Sequence, residues 1–242
     1  MADTPFVSKT DPWGLSGTGK ALALVSVADN KSSSVAEARN ENGDTVAYHL
    51  YGTQYAPTYD YRVAASGTVT IPVFGAPVTA TMADGTSVKL FATSWTLTTT
   101  AGGETTFALS AESIPSAVTA ICPYQIDCGD VDVGPCQHAK LLFDCVSGDA
   151  IGGTGCYLQS ATYNGTCTLG RATKDGETIA VGVTDGRITA SLTIIQTGST
   201  IPTVTPDTGW EITAPLSCTN PDADYPTWTI TLTKYLTAAD AS

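Results

Sequence analysis

The feature that most constrains the fold of this chain is a short internal repeat. Residues 40–47 (NENGDTVA) align with residues 173–180 (TKDGETIA), with the Gly, Thr and Ala positions identical. Each copy contains a dipeptide, Asn42-Gly43 or Asp175-Gly176, that accepts positive φ at both corners of a two-residue β-hairpin turn. We therefore predict one hairpin at each copy, with Asn42, Gly43, Asp175 and Gly176 as structural turn positions.

The ends of the two halves also correspond. Residues 105–110 (TTFALS) and 226–231 (PTWTIT) each place an aromatic residue before alternating apolar and hydroxyl residues. Together, the matches predict the duplication of a β-domain of roughly 110 residues. The predicted organisation is an extended arm (1–20), a first β-domain (21–116), a Cys-rich connector (117–155), a second β-domain (156–237) and a short tail (238–242).

Composition and periodicity predict the fold class. Only 14% of the residues are Asp, Glu, Lys or Arg, so Thr and Ser carry much of the polarity. Residues 87–91, 187–194 and 228–232 alternate with period two, which buries one face of a strand and wets the other. We predict an all-β protein of two similar sandwich-like or barrel-like domains in tandem, with little helix. The best helical signal, residues 136–145, fits a short helix or a strand equally well.

Charge and hydropathy disfavour several partners. The 23 acidic and 11 basic residues give a net charge of −12, which opposes adhesion to phosphate backbones and to anionic lipid surfaces. No apolar run approaches the roughly eighteen residues of a transmembrane helix, and the N-terminus lacks a signal-peptide pattern. We expect a chain that is made in a cytoplasm and has no membrane partner.

Seven cysteines form an odd set without a Cys-x-x-Cys pair. Free thiols that act as small buried hydrophobes are the favoured interpretation, and a few late-forming disulfides are an alternative. A zinc site would rely on Cys136 and His138, whose spacing is unlike that of paired structural zinc ligands. We therefore expect no metal and no other cofactor.

Catalytic patterns are weak. Residues 14–21 (GLSGTGKA) have the spacing of a phosphate loop, but they end in Ala and precede a strand-like run instead of a helix. The histidines, His49 and His138, do not lie beside a nucleophile elbow. The acidic clusters at 127–132 and 222–224 do not fit a calcium-binding loop. We predict no catalytic, cofactor-binding or metal-binding residue and no enzymatic activity.

A tyrosine-rich stretch offers a possible interaction surface. Tyr55, Tyr59 and Tyr61 are amphipathic rings of the kind enriched at interfaces, where one edge is apolar and the other wet. Packing within a single β-sandwich is the favoured interpretation. We keep the three tyrosines as hypothetical interface residues.

Residues 35–47, with Tyr51-Gly52 and the strand near residues 60–63, resemble the opening hairpin of small structural proteins of tailed bacteriophages, most specifically a tail-tube subunit. The resemblance implies a virion protein that assembles in the bacterial host cytoplasm with other virion proteins. It also implies self-association into trimeric or hexameric rings or a tube, around an acidic channel that DNA traverses without adhering. The arm and the long hairpin loops would join one ring to the next. Such proteins usually pack a helix against the sandwich, and this sequence predicts none within either repeat.

Other functions explain the same composition. A capsid decoration, neck or fibre protein would share the virion class and differ in geometry. A carbohydrate-binding β-sandwich would present Trp13 or Trp210 as a sugar platform. A hydrolase with dispersed carboxylates is a third alternative, without a pair of carboxylates that the sequence can identify.

Overall fold

The alternating runs form strands in the computed structural model of the chain. The structure describes residues 10–42, 44–114, 118, 120–121, 124–135, 138–174, 177–219, 224–237 and 239–240. The strands are β1 (Leu22–Ala28), β2 (Lys31–Arg39), β3 (Thr45–Tyr55), β4 (Thr58–Val63), β5 (Gly67–Thr70), β6 (Val78–Thr81), β7 (Ser87–Thr100), β8 (Thr106–Ile114), β9 (Ala120–Ile121), β10 (Tyr124–Gln125), β11 (Asp130–Val133), β12 (Cys156–Lys174), β13 (Glu177–Gln196), β14 (Trp210–Cys218), β15 (Thr227–Tyr235) and β16 (Ala239–Asp240).

The described residues are almost entirely strand and loop, which confirms the all-β class. Their one helical element is a 3₁₀ turn at Ser147–Asp149. No helix in the described ranges is long and apolar enough to cross a bilayer.

One sheet runs through both halves of the chain. Its ten strands include the path β1-β4-β8-β7-β12-β13-β15-β14, in which all neighbours are antiparallel. Strand β6 pairs with β7, and the short β9 pairs parallel with β13. The predicted division into two tandem domains stays a prediction, because the sheet is continuous across their boundary.

Each half begins with a long hairpin and ends with a shorter one. The "first hairpin" is the ribbon 22–63, in which β1 pairs with β4 and β2 pairs with β3. The "second hairpin" is β12 with β13. The shorter hairpins are β7–β8 and β14–β15. Each long hairpin lies beside a short one in the same order. The order across the sheet is β1-β4-β8-β7 in the first half and β12-β13-β15-β14 in the second.

The registers of the two long hairpins coincide, including their irregular positions. Each register shift in the first hairpin has a counterpart 134 residues later in the second. On the strands that return from the turn, β3 and β4 in the first hairpin and β13 in the second, the offset is 133. The turn of the second hairpin is therefore one residue shorter than the turn of the first. The shifts fall between Leu24 and Ser26, Ser32 and Ser34, and Ala38 and Arg39 in the first hairpin, and between Leu158 and Ser160, Thr166 and Thr168, and Ala172 and Thr173 in the second.

The short hairpins correspond in the same way. A register shift between Ala92 and Ser94 in β7 has its counterpart between Ile212 and Ala214 in β14, 120 residues later. The partner strands β8 and β15 match with an offset of 121. Because bulges depend on local sequence and are specific features of a strand pair, their agreement gives a residue-by-residue equivalence between the halves.

The core lies on one face of the sheet. Buried apolar side chains alternate along the strands, as with Ile188, Ala190, Leu192 and Ile194 on β13. The connector also contributes to it: the buried connector residues include Ile126, Val131, Val133, Leu142 and Cys145.

The weak helical or strand signal at residues 136–145 lies in the predicted connector, and its described part, 138–145, is a loop with a turn. The Cys145 amide donates to the Leu142 carbonyl at 3.3 Å in that turn, and two other backbone amides donate to side chains of the sheet. The Leu142 amide donates to Tyr163 Oη at 2.8 Å, and the Lys140 amide donates to Thr99 Oγ1 at 3.1 Å. Tertiary contacts here replace the local hydrogen bonds that a helix would need.

The opposite face of the sheet is rich in hydroxyl groups. We call it the "hydroxyl face", and its central side chains are half-buried or exposed. They are Thr96, Thr98, Thr162, Asn164, Thr189, Ser191, Thr193, Thr229 and Thr231.

Candidate assembly edges

The two halves meet where β7 pairs with β12. Seven consecutive residue pairs form this junction, from Thr100 opposite Ser160 to Ser94 opposite Thr166. Strand β7, the last strand of the first half along the sheet path, is thus bonded to β12, the first strand of the second half. Continuous backbone pairing therefore joins the halves in addition to the connector.

Polar side chains cross the junction on the hydroxyl face. Thr96 Oγ1 donates to Asn164 Oδ1 at 2.8 Å. One step along the same face, the hydroxyl oxygens of Thr98 and Thr162 are 3.4 Å apart. Cross-strand pairs of this kind stabilise a given register.

Aromatic rings pack across the junction on the core face. Trp95 stacks against Phe143, with ring centroids 5.3 Å apart, and Phe143 contacts Tyr163 at 5.3 Å. Trp95 Nε1 also donates to the buried thiol of Cys128 at 3.4 Å. Phe143 has φ of 60°, so the connector backbone adopts a left-handed conformation where this ring enters the junction.

Beyond the pair of Ser94 and Thr166, the second hairpin leaves the junction and covers part of the hydroxyl face. Strand β6 takes the place beside β7, since Val78 pairs with Leu90. The hairpin then packs Leu169 and Val181 against buried Phe91 and Ile114 of β7 and β8.

An ion pair fixes the same contact. The Arg171 guanidinium donates to Glu112 at 2.7 Å and to the Ser113 carbonyl at 3.3 Å. The second hairpin is therefore bonded to the strands of the other half.

The outermost strands of the path are β1 and β14. Within the described residues, β14 pairs only with β15, and β1 pairs with β4 apart from a single bridge from Ser16 to Leu22. Two apolar side chains on these strands are strongly exposed, Val25 at 64% and Ile212 at 48%. Unpaired edge strands present free N–H and C=O groups and are sites of pairing with another chain.

Asp29 lies on the free side of the first hairpin. Both of its carboxylate oxygens are shielded from solvent, and no donor among the described residues meets hydrogen-bonding geometry with them. Burial raises the pKa of this carboxyl group, the backbone near Ala83 partly lowers it, and nearby Asp84 raises it further. A shielded carboxylate whose nearest donor, the Ala83 backbone, is outside hydrogen-bonding geometry is only partly satisfied in the single chain.

The three tyrosines kept as hypothetical interface residues are buried within the single chain. Tyr55, Tyr59 and Tyr61 are 6%, 2% and 2% exposed. Tyr55 Oη donates to Asp84 at 2.7 Å, and Tyr61 Oη donates to Asp11 at 3.0 Å. The rings of Tyr55 and Tyr61 thus combine burial with one polar contact each, and Tyr59 packs against Trp13.

The turn positions lie mostly outside the described residues. Gly43, Asp175 and Gly176 belong to that group, so their backbone conformations stay predictions. The Asn42 amide donates to Asn40 Oδ1 at 3.0 Å, and the Asn40 amide donates to the Asp44 carbonyl at 2.9 Å. In the second hairpin Lys174 pairs with Glu177, so two residues separate the strands.

The motifs considered for chemistry are not assembled into a site. The segment 14–20 leads into β1, and Asp11 accepts bonds from the Trp13 and Ser16 amides where a phosphate loop would bind an anion. His49 lies in β3 and His138 is exposed. Cys136 and Asp222 are outside the described residues, and within those residues no group of three His, Cys, Asp or Glu is placed to hold a metal ion.

The two tryptophans considered as a sugar platform both pack against the chain. Trp13 is half-buried, and its ring makes an edge-to-face contact with Tyr59, with centroids 5.3 Å apart. Trp210 is 5% exposed and donates to the Phe143 carbonyl at 3.2 Å, so its ring is too buried to stack on a sugar.

Five cysteines are described, and all five are free thiols: Cys128, Cys145, Cys156, Cys167 and Cys218. This confirms the free-thiol interpretation for these residues, while Cys122 and Cys136 lie outside the described part. Burial raises the pKa of Cys128 and Cys145 to about 11 and that of Cys167 to about 12. Such thiols are poor nucleophiles.

Sequence reasoning did not identify the free edges as the candidate site. A usable signal was present, because Leu24-Val25-Ser26 and Leu158-Gln159-Ser160 share Leu and Ser around the first bulge of each hairpin. No protein-family model matches the chain, and comparison with curated proteins finds no relative.

Proposed function

We propose that this chain is a structural subunit of a tailed-phage virion, most like a tail-tube subunit with a duplicated domain, and that it self-associates into rings or a tube. The observation that carries the proposal is the sheet path: two equivalent halves are joined laterally at β7–β12, and strands equivalent to these two, β14 and β1, end the path with outer edges that pair with no further strand among the described residues.

Head-to-tail association follows from this arrangement. The surface offered by β14 is different from the surface offered by β1, so their contact is heterologous. Repeating a heterologous contact gives a closed ring when the rotation closes, and an open filament otherwise. The β7–β12 junction supplies an internal example of that contact.

The hydroxyl face supports a channel role. Its central residues are Thr, Ser and Asn, and none of them is basic. Because Lys and Arg contacts dominate affinity for nucleic acid, a ring whose inner surface was this face would hold passing DNA weakly. The net charge of −12 acts in the same direction. In such a ring the channel lining would be more neutral than the acidic lumen expected from the composition.

The test is self-assembly of the purified protein. Negative-stain electron microscopy at rising concentration, with the molar mass from light scattering, should show rings or hollow tubes. A strictly monodisperse monomer under all conditions would exclude the ring proposal and favour a decoration protein or another virion component.

A further inference from the structure

We propose that the contact between successive copies reproduces the β7–β12 junction in register, so that Asn30 of one copy lies opposite Ser217 of the next. This inference rests on the self-assembly proposed above and identifies its partner as a second copy of the same chain. Three separate observations support the register.

The first observation is the equivalence of the strands. The first hairpin matches the second with an offset of 134 through three register shifts, and β14 matches β7 through another. The β7-to-β14 offset is 120 as far as Ala214 and 121 beyond the second register shift of β14. Applying these offsets to the junction places Ser32 opposite Ala214, Asn30 opposite Ser217, Asp29 opposite Cys218 and Ala28 opposite Thr219.

The second observation concerns the side chains at the equivalent positions. Asn164, which bonds to Thr96 across the existing junction, has Asn30 as its counterpart, and Thr96 has Ser217. An amide and a hydroxyl would again face each other. Both Asn30 and Ser217 are exposed in the single chain.

The third observation is the shielded carboxylate of Asp29 on this edge. At the existing junction its counterpart is Tyr163, which lies opposite Leu97. In the proposed register Asp29 lies opposite Cys218, whose thiol is a weak donor. The contact would add a donor beside a shielded carboxylate whose one neighbouring donor, the Ala83 backbone, does not meet hydrogen-bonding geometry.

The same equivalence accounts for exposed apolar groups further along. Leu169 of the second hairpin, which packs near buried Ile114, has Val35 of the first hairpin as its counterpart. The counterpart of Ile114 is Tyr235. Val35 is 52% exposed and Tyr235 is 64% exposed, so laying the first hairpin across β14 and β15 of the next copy would cover both.

Pro215 would interrupt the proposed hydrogen-bond ladder between copies at one place. It lies between Ala214 and Ser217, where β14 has a second register shift that β7 lacks. Proline has no N–H to donate and is accepted on edge strands and at bulges. The proposed pairing therefore proceeds on both sides of an interruption at Pro215.

The test uses the native Cys218. In the assembled protein an Asp29→Cys variant should form a disulfide with Cys218 of the next copy under mild oxidation, which converts the monomer band into a covalent ladder on non-reducing gels. Adding Cys218→Ser should abolish the ladder. Val25→Cys is the matched control on the same strand, because it lies four residues away, roughly 13 Å along an extended strand, and should not cross-link to Cys218.

The outcomes separate the register from self-assembly. The register would be overturned, and the ring proposal left standing, if light scattering shows that the wild-type protein assembles and the Val25→Cys variant cross-links but the Asp29→Cys variant does not. A wild-type protein that never assembles would overturn both. If Asp29→Cys does not fold, Asn30→Cys with Ser217→Cys in a Cys218→Ser background tests the same register: a ladder supports it, and its absence in assembled protein overturns it.

Discussion

Trp95 and Gly165 lie opposite each other across the β7–β12 junction, and the Trp95 indole occupies the space that a β-carbon on residue 165 would need. The absence of a side chain on one strand thus allows the largest side chain of the other to lie flat at the junction. Since Trp95 also contacts Phe143 and Cys128, this one position controls the packing of both halves and the connector.

Gly165→Ala should destabilise the protein because the new methyl group must displace the indole. Overpacking of this kind costs about 1–3 kcal/mol, and the free energy of unfolding from denaturant titration measures it. Gly170→Ala on the same strand is the control, since its nearest neighbour would be the Gly182 carbonyl oxygen at 3.7 Å. Equal effects of the two substitutions would contradict the packing described at the junction.

Tyr163→Phe should also be destabilising, although it removes only one oxygen. That oxygen accepts from the Leu142 amide at 2.8 Å and donates to the Lys140 carbonyl at 3.1 Å, and both backbone groups would lose their partner. A buried group left unsatisfied costs about 1–3 kcal/mol. Thermal or denaturant unfolding measures the change, and Tyr157→Phe at an exposed position serves as the control. If the two variants have the same stability, the connector is not held by this hydroxyl.

Cysteine labelling should follow burial. At about pH 8, iodoacetamide should modify Cys156 and Cys218, which are partly exposed, before Cys128, Cys145 and Cys167. Burial keeps the last three thiols protonated, with pKa values of about 11, 11 and 12. Peptide mass spectrometry resolves the order, and all five should react once the chain is unfolded. Rapid native labelling of Cys128 would show that the junction core is open to solvent.

Acid should weaken the contact between the base of the first hairpin and Asp84. The Lys31 ammonium, then Tyr55 Oη and Thr86, hold the pKa of Asp84 well below its usual range. A carboxyl group whose pKa is lower in the folded state stabilises the fold above its unfolded pKa, and this stabilisation is lost as the pH falls.

Asp84→Asn should therefore cost roughly 0.2–1 kcal/mol near neutral pH, the usual range for an exposed pair. The difference from wild type should shrink as the pH falls below about 5, where the unfolded carboxyl begins to bind protons, and should continue to shrink towards the lowered pKa of the folded state. Denaturant unfolding across this pH range checks the prediction, with Asp130→Asn on β11 as the exposed control. A difference that grows on acidification would reverse the assigned sign.

The sequence predicted local structure better than lateral arrangement. Period-two runs correctly located β7, β13 and β15, because alternation depends only on which face of a strand is buried. The β7–β12 junction was not predictable in this way, because periodicity carries no information about which strand lies alongside.

The surroundings of the tyrosines were hard to predict for a related reason. Alternation placed Tyr59 and Tyr61 on one face of β4 but could not say whether that face met solvent or core. The answer depends on Asp11 and Trp13 of the arm, which cover the rings. The contacts of the loop at 138–145 were not predictable because its backbone donors find partners on β7 and β12, far away in sequence.

The covalent connection between the halves has a kinetic consequence for any assembly of this chain. The β7–β12 ladder forms within one molecule, at an effective concentration set by the connector and independent of dilution. Only the β14–β1 contact would have to be found by diffusion. A ring of such chains would need half as many encounters as one built from single domains with the same number of strands, and alternate ladders around it would persist even when the copies separate.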